Sequence, residues 1–125
     1  MLLLDTNAIL RYILQDNQTM ADSVEQQLLK NSCYIPVEVV AEIVYVLLKV
    51  YKVERELIAQ TLLDIADTDS IKIAQNLVVC YALNIFASST LDFVDCLLIG
   101  YAKEEQYTVF TFDKKMQKYL SRLED

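Results

Sequence analysis

Acidic side chains carry whatever chemistry this sequence holds, because it contains no histidine. Without imidazole, Ser/His and Cys/His nucleophile pairs and imidazole-based zinc sites are excluded. Asp95 is the most pointed of the acids. It lies in Leu91–Ile99, where apolar residues continue round a helix expected to be buried, and no basic residue stands within a turn of it. An ionised carboxylate there is costly unless it is paired or bound to metal. Asp92 precedes it by three residues, so both can point to one spot, although a first-turn acid also suits the helix dipole. Asp5 and Asp113 each follow a short apolar run. At the ends of parallel strands they would reach the same sheet edge; taken singly, each reads as a helix cap. Glu42 follows Glu38 by four residues, with no Lys or Arg at i+3 or i+4 to pair with it. Its ordinary reading is a solvated residue on an exposed stripe with Glu38, Tyr45 and Lys49, and spacing alone favours that reading.

If these groups converge, two charges ~4 Å apart repel by roughly 4 kcal/mol at an effective dielectric near 20. They then need cations, and hard oxygen donors without His or Cys call for Mg²⁺ or Mn²⁺. Such a site suits phosphate esters, since the ion polarises a phosphate and lowers the pKa of bound water. The charge balance pulls the other way. Eleven Lys plus Arg against 18 Asp plus Glu leave a net charge of -7, which argues against gripping nucleic acid by bulk electrostatics. Local cations would have to serve: Arg11, one helix from Asp5, and Lys114, Lys115 and Lys118 just past Asp113. An ordinary solvated face accounts for these four equally well.

The elements that must position these residues follow from periodicity. A brief apolar run, Leu2-Leu3-Leu4, stops at the capping residues Asp5-Thr6-Asn7 and leads into a helix over Ala8–Leu14. Thr19 opens a second helix with Val24, Leu28 and Leu29 facing inward. Cys33-Tyr34-Ile35 is the next strand, and Pro36 suits the first turn of a helix whose Val37, Val40, Ala41, Val44 and Leu48 form a core stripe. Helices are expected over Val53–Ala66, Gln75–Ala87 and Leu91–Gln106, with a weaker strand at Ile71–Ile73. Thr108–Thr111 reads as the last strand and Lys114–Leu120 as a closing helix. Short apolar strands alternating with helices predict a parallel α/β sheet covered on both faces, with ligands at the carboxyl ends of the strands. At 125 residues, 54% hydrophobic, with one Gly and one Pro, a single domain over 1–125 is expected. Cys33, Cys80 and Cys96 fit buried thiols in a reducing cytosol better than a disulfide framework. The early Asp5 does not fit a signal peptide, and polar residues interrupt Ile73–Leu91 as a membrane span, so a soluble cytoplasmic protein is expected.

Leu4-Asp5-Thr6-Asn7, a helical Glu42 after Ile35-Pro36, Asp92-Phe93-Val94-Asp95 and Thr111-Phe112-Asp113 together resemble PIN domains in order and spacing. They are most similar to the VapC-type toxins of toxin–antitoxin pairs. The resemblance covers essentially the whole chain. It implies a three-layer fold, a short parallel sheet of four to five strands flanked by helices, and an Mg²⁺- or Mn²⁺-dependent endoribonuclease. Carried over by position, Asp5, Glu42, Asp95 and Asp113 would form the metal-binding cluster, with Asp92 auxiliary and Thr6, Asn7 and Thr111 as supporting hydrogen-bonders. It further implies a homodimer and neutralisation by a cognate antitoxin. Three other readings stay in play: an RNA-processing PIN nuclease outside any such pair, a carboxylate–metal enzyme acting on other phosphate esters, and a non-catalytic helical interaction module.

Overall fold

A computed structural model describes residues 1–123. Its strands are β1 (Leu2–Leu3), β2 (Cys33–Ile35) and β3 (Ile71–Ile73), all parallel in the order β1-β2-β3. The pairing sets Leu2 against Cys33 and Cys33 against Ile71. Helices α1 (Thr6–Leu14) and α2 (Gln18–Lys30) join the first two strands; α3 (Val37–Lys49) and α4 (Arg55–Ala66) join the last two. Helices α5 (Asn76–Ser88), α6 (Phe93–Glu105) and α7 (Lys114–Arg122) complete the described chain. Strand β2 is central, and its Cys33 and Ile35 are wholly buried, as short apolar strands inside a covered parallel sheet should be.

Pro36 ends β2 and starts α3 as its N-cap, where a missing N–H costs nothing. The buried face of α3 is Val40, Ile43, Val44 and Leu47. The expected stripe lay slightly to one side of this, and Val37, Ala41 and Leu48 are only half-buried. Ala41 and Leu48 border an open groove towards α6 instead. Leu29, expected inward on α2, is 75% exposed. Helix α4 begins at Arg55, after Glu54 as N-cap, two residues later than its apolar pattern suggests.

The last expected strand does not form. Thr108–Thr111 lies outside the sheet, so the described residues hold three strands and not four to five. Val109 and Thr111 turn half inward while Phe110 and Phe112 stand 85% and 83% exposed, so the alternation of a strand is present without a ladder. Local bonds engage the backbone here. The Asp113 N–H donates to the Thr111 hydroxyl at 3.0 Å, and the Gln117 amide donates to the Thr111 carbonyl at 2.8 Å. Side chains of this kind compete with a ladder for the backbone.

Helices α5 and α6 cross closely at Gly100, the sole glycine. A Cβ there would lie 2.7 Å from the Val78 carbonyl oxygen and 3.1 Å from Val78 Cγ1. The clash is with backbone, so the helices must part. Overpacking costs about 1–3 kcal/mol against a gain of about 1 kcal/mol from replacing a helical glycine. Gly100→Ala is therefore expected to lower the thermal midpoint by several degrees, where an open helical site would raise it. An unchanged or raised midpoint would show that the crossing is looser than this.

Candidate active site

Three of the acids gather around one cleft of about 360 Å³ bordered by Thr90, Leu91, Asp92, Asp95, Asp113, Lys114 and Lys115. Asp92 is the N-cap of α6, not a first-turn residue as expected. Its side chain makes no cap bond, so the carboxylate is open to the cleft. Asp95 is the first-turn acid of α6 and is half-buried. Burial, then the charge of Asp92, then that of Asp113 all push its carboxyl above the ordinary range. The apolar surroundings do not continue all round α6, since Val94 and Leu98 are exposed; Asp95 sits at the border between that face and the core.

Asp113 and Asp5 both do what a capping acid does. Asp113 Oδ1 accepts from the Met116 N–H at 2.9 Å, and Asp5 Oδ1 accepts from the Ala8 N–H at 2.8 Å. One oxygen of each carboxylate is thereby used. Asp113 still borders the cleft. Asp5 is exposed at the carboxyl end of β1, and Glu42 is exposed on α3; neither is among the cleft-lining residues. Among the described residues, no three His, Cys, Asp or Glu side chains lie close enough to share an ion. Thr6 opens α1 half-buried and Asn7 is exposed beside it, while Thr111 supports the start of α7 through the bond to Asp113 already described.

The basic candidates separate. Arg11 is occupied elsewhere: its guanidinium pairs with Asp16 at 2.8 Å and donates to the Tyr51 hydroxyl at 3.1 Å. Lys114 and Lys115 border the acidic cleft, and Lys115 Nζ donates to the Thr90 hydroxyl at 2.7 Å. Lys118 lies in the adjoining recess with Lys115, Tyr119 and Arg122. Arg122 went unnoticed in the sequence, although its spacing from Lys115 and Lys118, i+7 and i+4, places all three on one helical face. Arg55 was also missed. It donates to the carbonyls of Phe86 and Leu91 and lies 3.8 Å from the centre of the Phe86 ring, clamping the turn that leads into Asp92. No local signal could have revealed it, because its partners are 31 and 36 residues away.

All three cysteines are free. Cys33 and Cys96 are buried as expected, and burial pushes the Cys96 thiol up to about 11. Cys80 is only half-buried. No helix among the described residues is long and apolar enough to cross a membrane.

A parallel sheet lies between helices, with a carboxylate cleft beside the start of α6. The model of the PIN domain matches residues 2–120, and the chain belongs to that family, whose members are generally nucleases acting on RNA. No curated protein and no solved structure matches the chain.

The donor set fits a hard divalent cation in its chemistry. The side chains are carboxylates, and Asp95 feels the unneutralised charge of both neighbours. Mg²⁺ ordinarily keeps several waters and takes only one or two carboxylates, which Asp92, Asp95 and Asp113 can supply without a closed shell of side chains.

Proposed function

We propose that this chain, read as one PIN domain over 1–125, is a cytoplasmic Mg²⁺- or Mn²⁺-dependent endoribonuclease and the VapC-type toxin of a toxin–antitoxin pair. The observation that carries the catalytic reading is the joint placement of Asp92, Asp95 and Asp113 in one cleft with Lys114 and Lys115 at its rim. In this reading Asp95 and Asp113 hold the ion with Asp92 beside them; Asp5 and Glu42, which the resemblance adds to the set, stand outside this cleft at the end of β1 and on α3. The bound ion supplies Lewis acidity at the phosphate and a more acidic water.

The chain's own residues do the rest. Lys114 and Lys115 put positive charge beside the carboxylates, offsetting locally the repulsion that a chain of net charge -7 exerts on RNA. The Thr90 hydroxyl steadies Lys115 by accepting from it. Lys118 and Arg122 extend the positive charge along α7, which suits a phosphate backbone running past the cleft. Thr6, Asn7 and Thr111 belong to the proposal as supporting hydrogen-bonders, and Arg11 as an RNA-facing cation that Asp16 and Tyr51 hold in place. The toxin reading rests on the four acidic motifs in order. A protein made to work with a dimer mate and an antitoxin also accords with large exposed apolar side chains such as Phe110 and Phe112.

The test is to purify the chain alone, verify its fold, and offer single-stranded RNA with Mg²⁺ or Mn²⁺ and then with EDTA. Metal-dependent cleavage inside the strand is expected. Cleavage that persists unchanged in EDTA would sink the metal mechanism. No cleavage with any metal would favour the interaction module, and equal action on DNA or small phosphodiesters would favour the broader phosphoesterase.

A further inference from the structure

Beside the carboxylate cleft lies a larger groove of about 430 Å³ between α3 and the start of α6, and Asp92 and Asp95 border both. We propose that this groove is a base-stacking subsite, taking an unpaired nucleobase of the RNA strand whose phosphate lies at the carboxylates; it rests on the endoribonuclease reading above.

The groove's construction favours a flat, uncharged ring with polar edges. Its apolar side includes Phe86 and Phe93, buried and fixed edge to face with ring centres 5.8 Å apart. Arg55 over Phe86 makes that side rigid. Tyr45, also lining the groove, is 63% exposed, so the core does not explain its ring. An aromatic face left open to solvent is what a base stacks on, whatever its sequence. Two carboxylates at the shared border repel a phosphate placed in the groove, while a neutral base meets no such penalty. Lys49 also lines the groove and offers a cation to the phosphate that follows. The volume lies within the range of roughly 300–1,000 Å³ usual for small-ligand sites. Continuity with the carboxylate cleft singles out the nucleotide next to the scissile phosphate, since a strand held at Asp92 and Asp95 has this groove as its adjoining space.

The experiment pairs a protein change with a substrate change. A short fluorescent single-stranded RNA that the wild-type protein cleaves is prepared intact and with one abasic nucleotide at each position in turn. Tyr45→Ala is expected to raise KM about tenfold on intact RNA, the usual scale for losing one stacked base, with kcat little changed. Tyr45→Phe should restore it. One abasic position should weaken the wild type by a similar factor and leave Tyr45→Ala no weaker than on intact RNA, since the two changes remove the same contact. Anisotropy of the same labelled RNA should show the matching loss of binding without turnover. Tyr45 is exposed, so melting curves should coincide.

If Tyr45→Ala cleaves and binds as the parent does, or if the Tyr45 and abasic losses simply multiply at every position, the base subsite is wrong and the nuclease reading stands. A groove that serves a protein partner instead would give that unchanged KM. A folded wild-type protein that neither binds nor cuts any RNA overturns both.

Discussion

Asp95→Asn is expected to lower RNA cleavage by a factor of roughly a hundred or more, the scale on which removing one positioned catalytic group acts, while the protein melts no lower than the parent at pH 7. The stability half follows from the local charge. Burial, Asp92 and Asp113 raise the Asp95 carboxyl in the fold above its ordinary value. A group raised in this way favours folding most when it is protonated, below the unfolded-state value. That benefit is lost as pH rises through the folded value, so at pH 7 the ionised side chain works against the fold. Asn removes the charge and keeps the shape. Any advantage of the variant should therefore shrink as pH is lowered towards the ordinary carboxylate value of about 3.9. Millimolar Mn²⁺ should relieve the same repulsion and raise the wild-type midpoint, by up to about 2.7 kcal/mol at a hundredfold excess over Kd, with little effect on Asp95→Asn. Nuclease rates and melting scans at two pH values, with and without Mn²⁺, decide the matter. A variant that cuts RNA at the parental rate removes Asp95 from the mechanism.

Arg55→Ala should cost the fold about 3 kcal/mol, the largest single stability effect expected at a side chain outside the apolar core. Its guanidinium satisfies the part-buried carbonyls of Phe86 and Leu91 and stacks on the Phe86 ring. Leaving such an acceptor unpaired costs roughly 1–3 kcal/mol, and a partly desolvated cation–ring contact adds about 1 kcal/mol. Lys should rescue little, because a point ammonium cannot reproduce two forked bonds and a stacked plane. Leu91 immediately precedes Asp92, so activity should fall as well, through looser placement of Asp92 and Asp95. Amide exchange at residues 89–92 separates this from global loss: those amides should open first. A variant melting within a degree of the parent would show that the turn is held by packing alone.

What could be read from the residues was whatever depends on short spacing. The period of Val40 and Val44 placed α3, Pro36 placed its start, and the capping residues around Asp5 and Asp113 placed α1 and α7. Asp92 and Asp95, three apart at the head of a helix, were legible as a pair for the same reason. That the chain is a PIN domain was legible too, because its motifs fall in order along nearly its full length.

Only the tertiary structure decided which groups meet. Thr108–Thr111 has the residues of a strand, yet a strand exists only when a neighbour offers its backbone, and here Thr111 and Gln117 bond locally instead. The resemblance grouped Asp5, Glu42, Asp95 and Asp113 together, whereas the fold draws Asp113 to Asp92 and Asp95 and leaves Asp5 and Glu42 outside that cleft. The fold alone shows that Arg11 is held by Asp16 and by Tyr51, the latter 40 residues on. Arg55 and Tyr45 acquired meaning only when α5 and α6 were set against them. Periodicity is a property of neighbours within a few turns, so it determines which face of each element is buried. Which charge lies beside which depends on contacts between segments tens of residues apart, and those follow from how the faces pack.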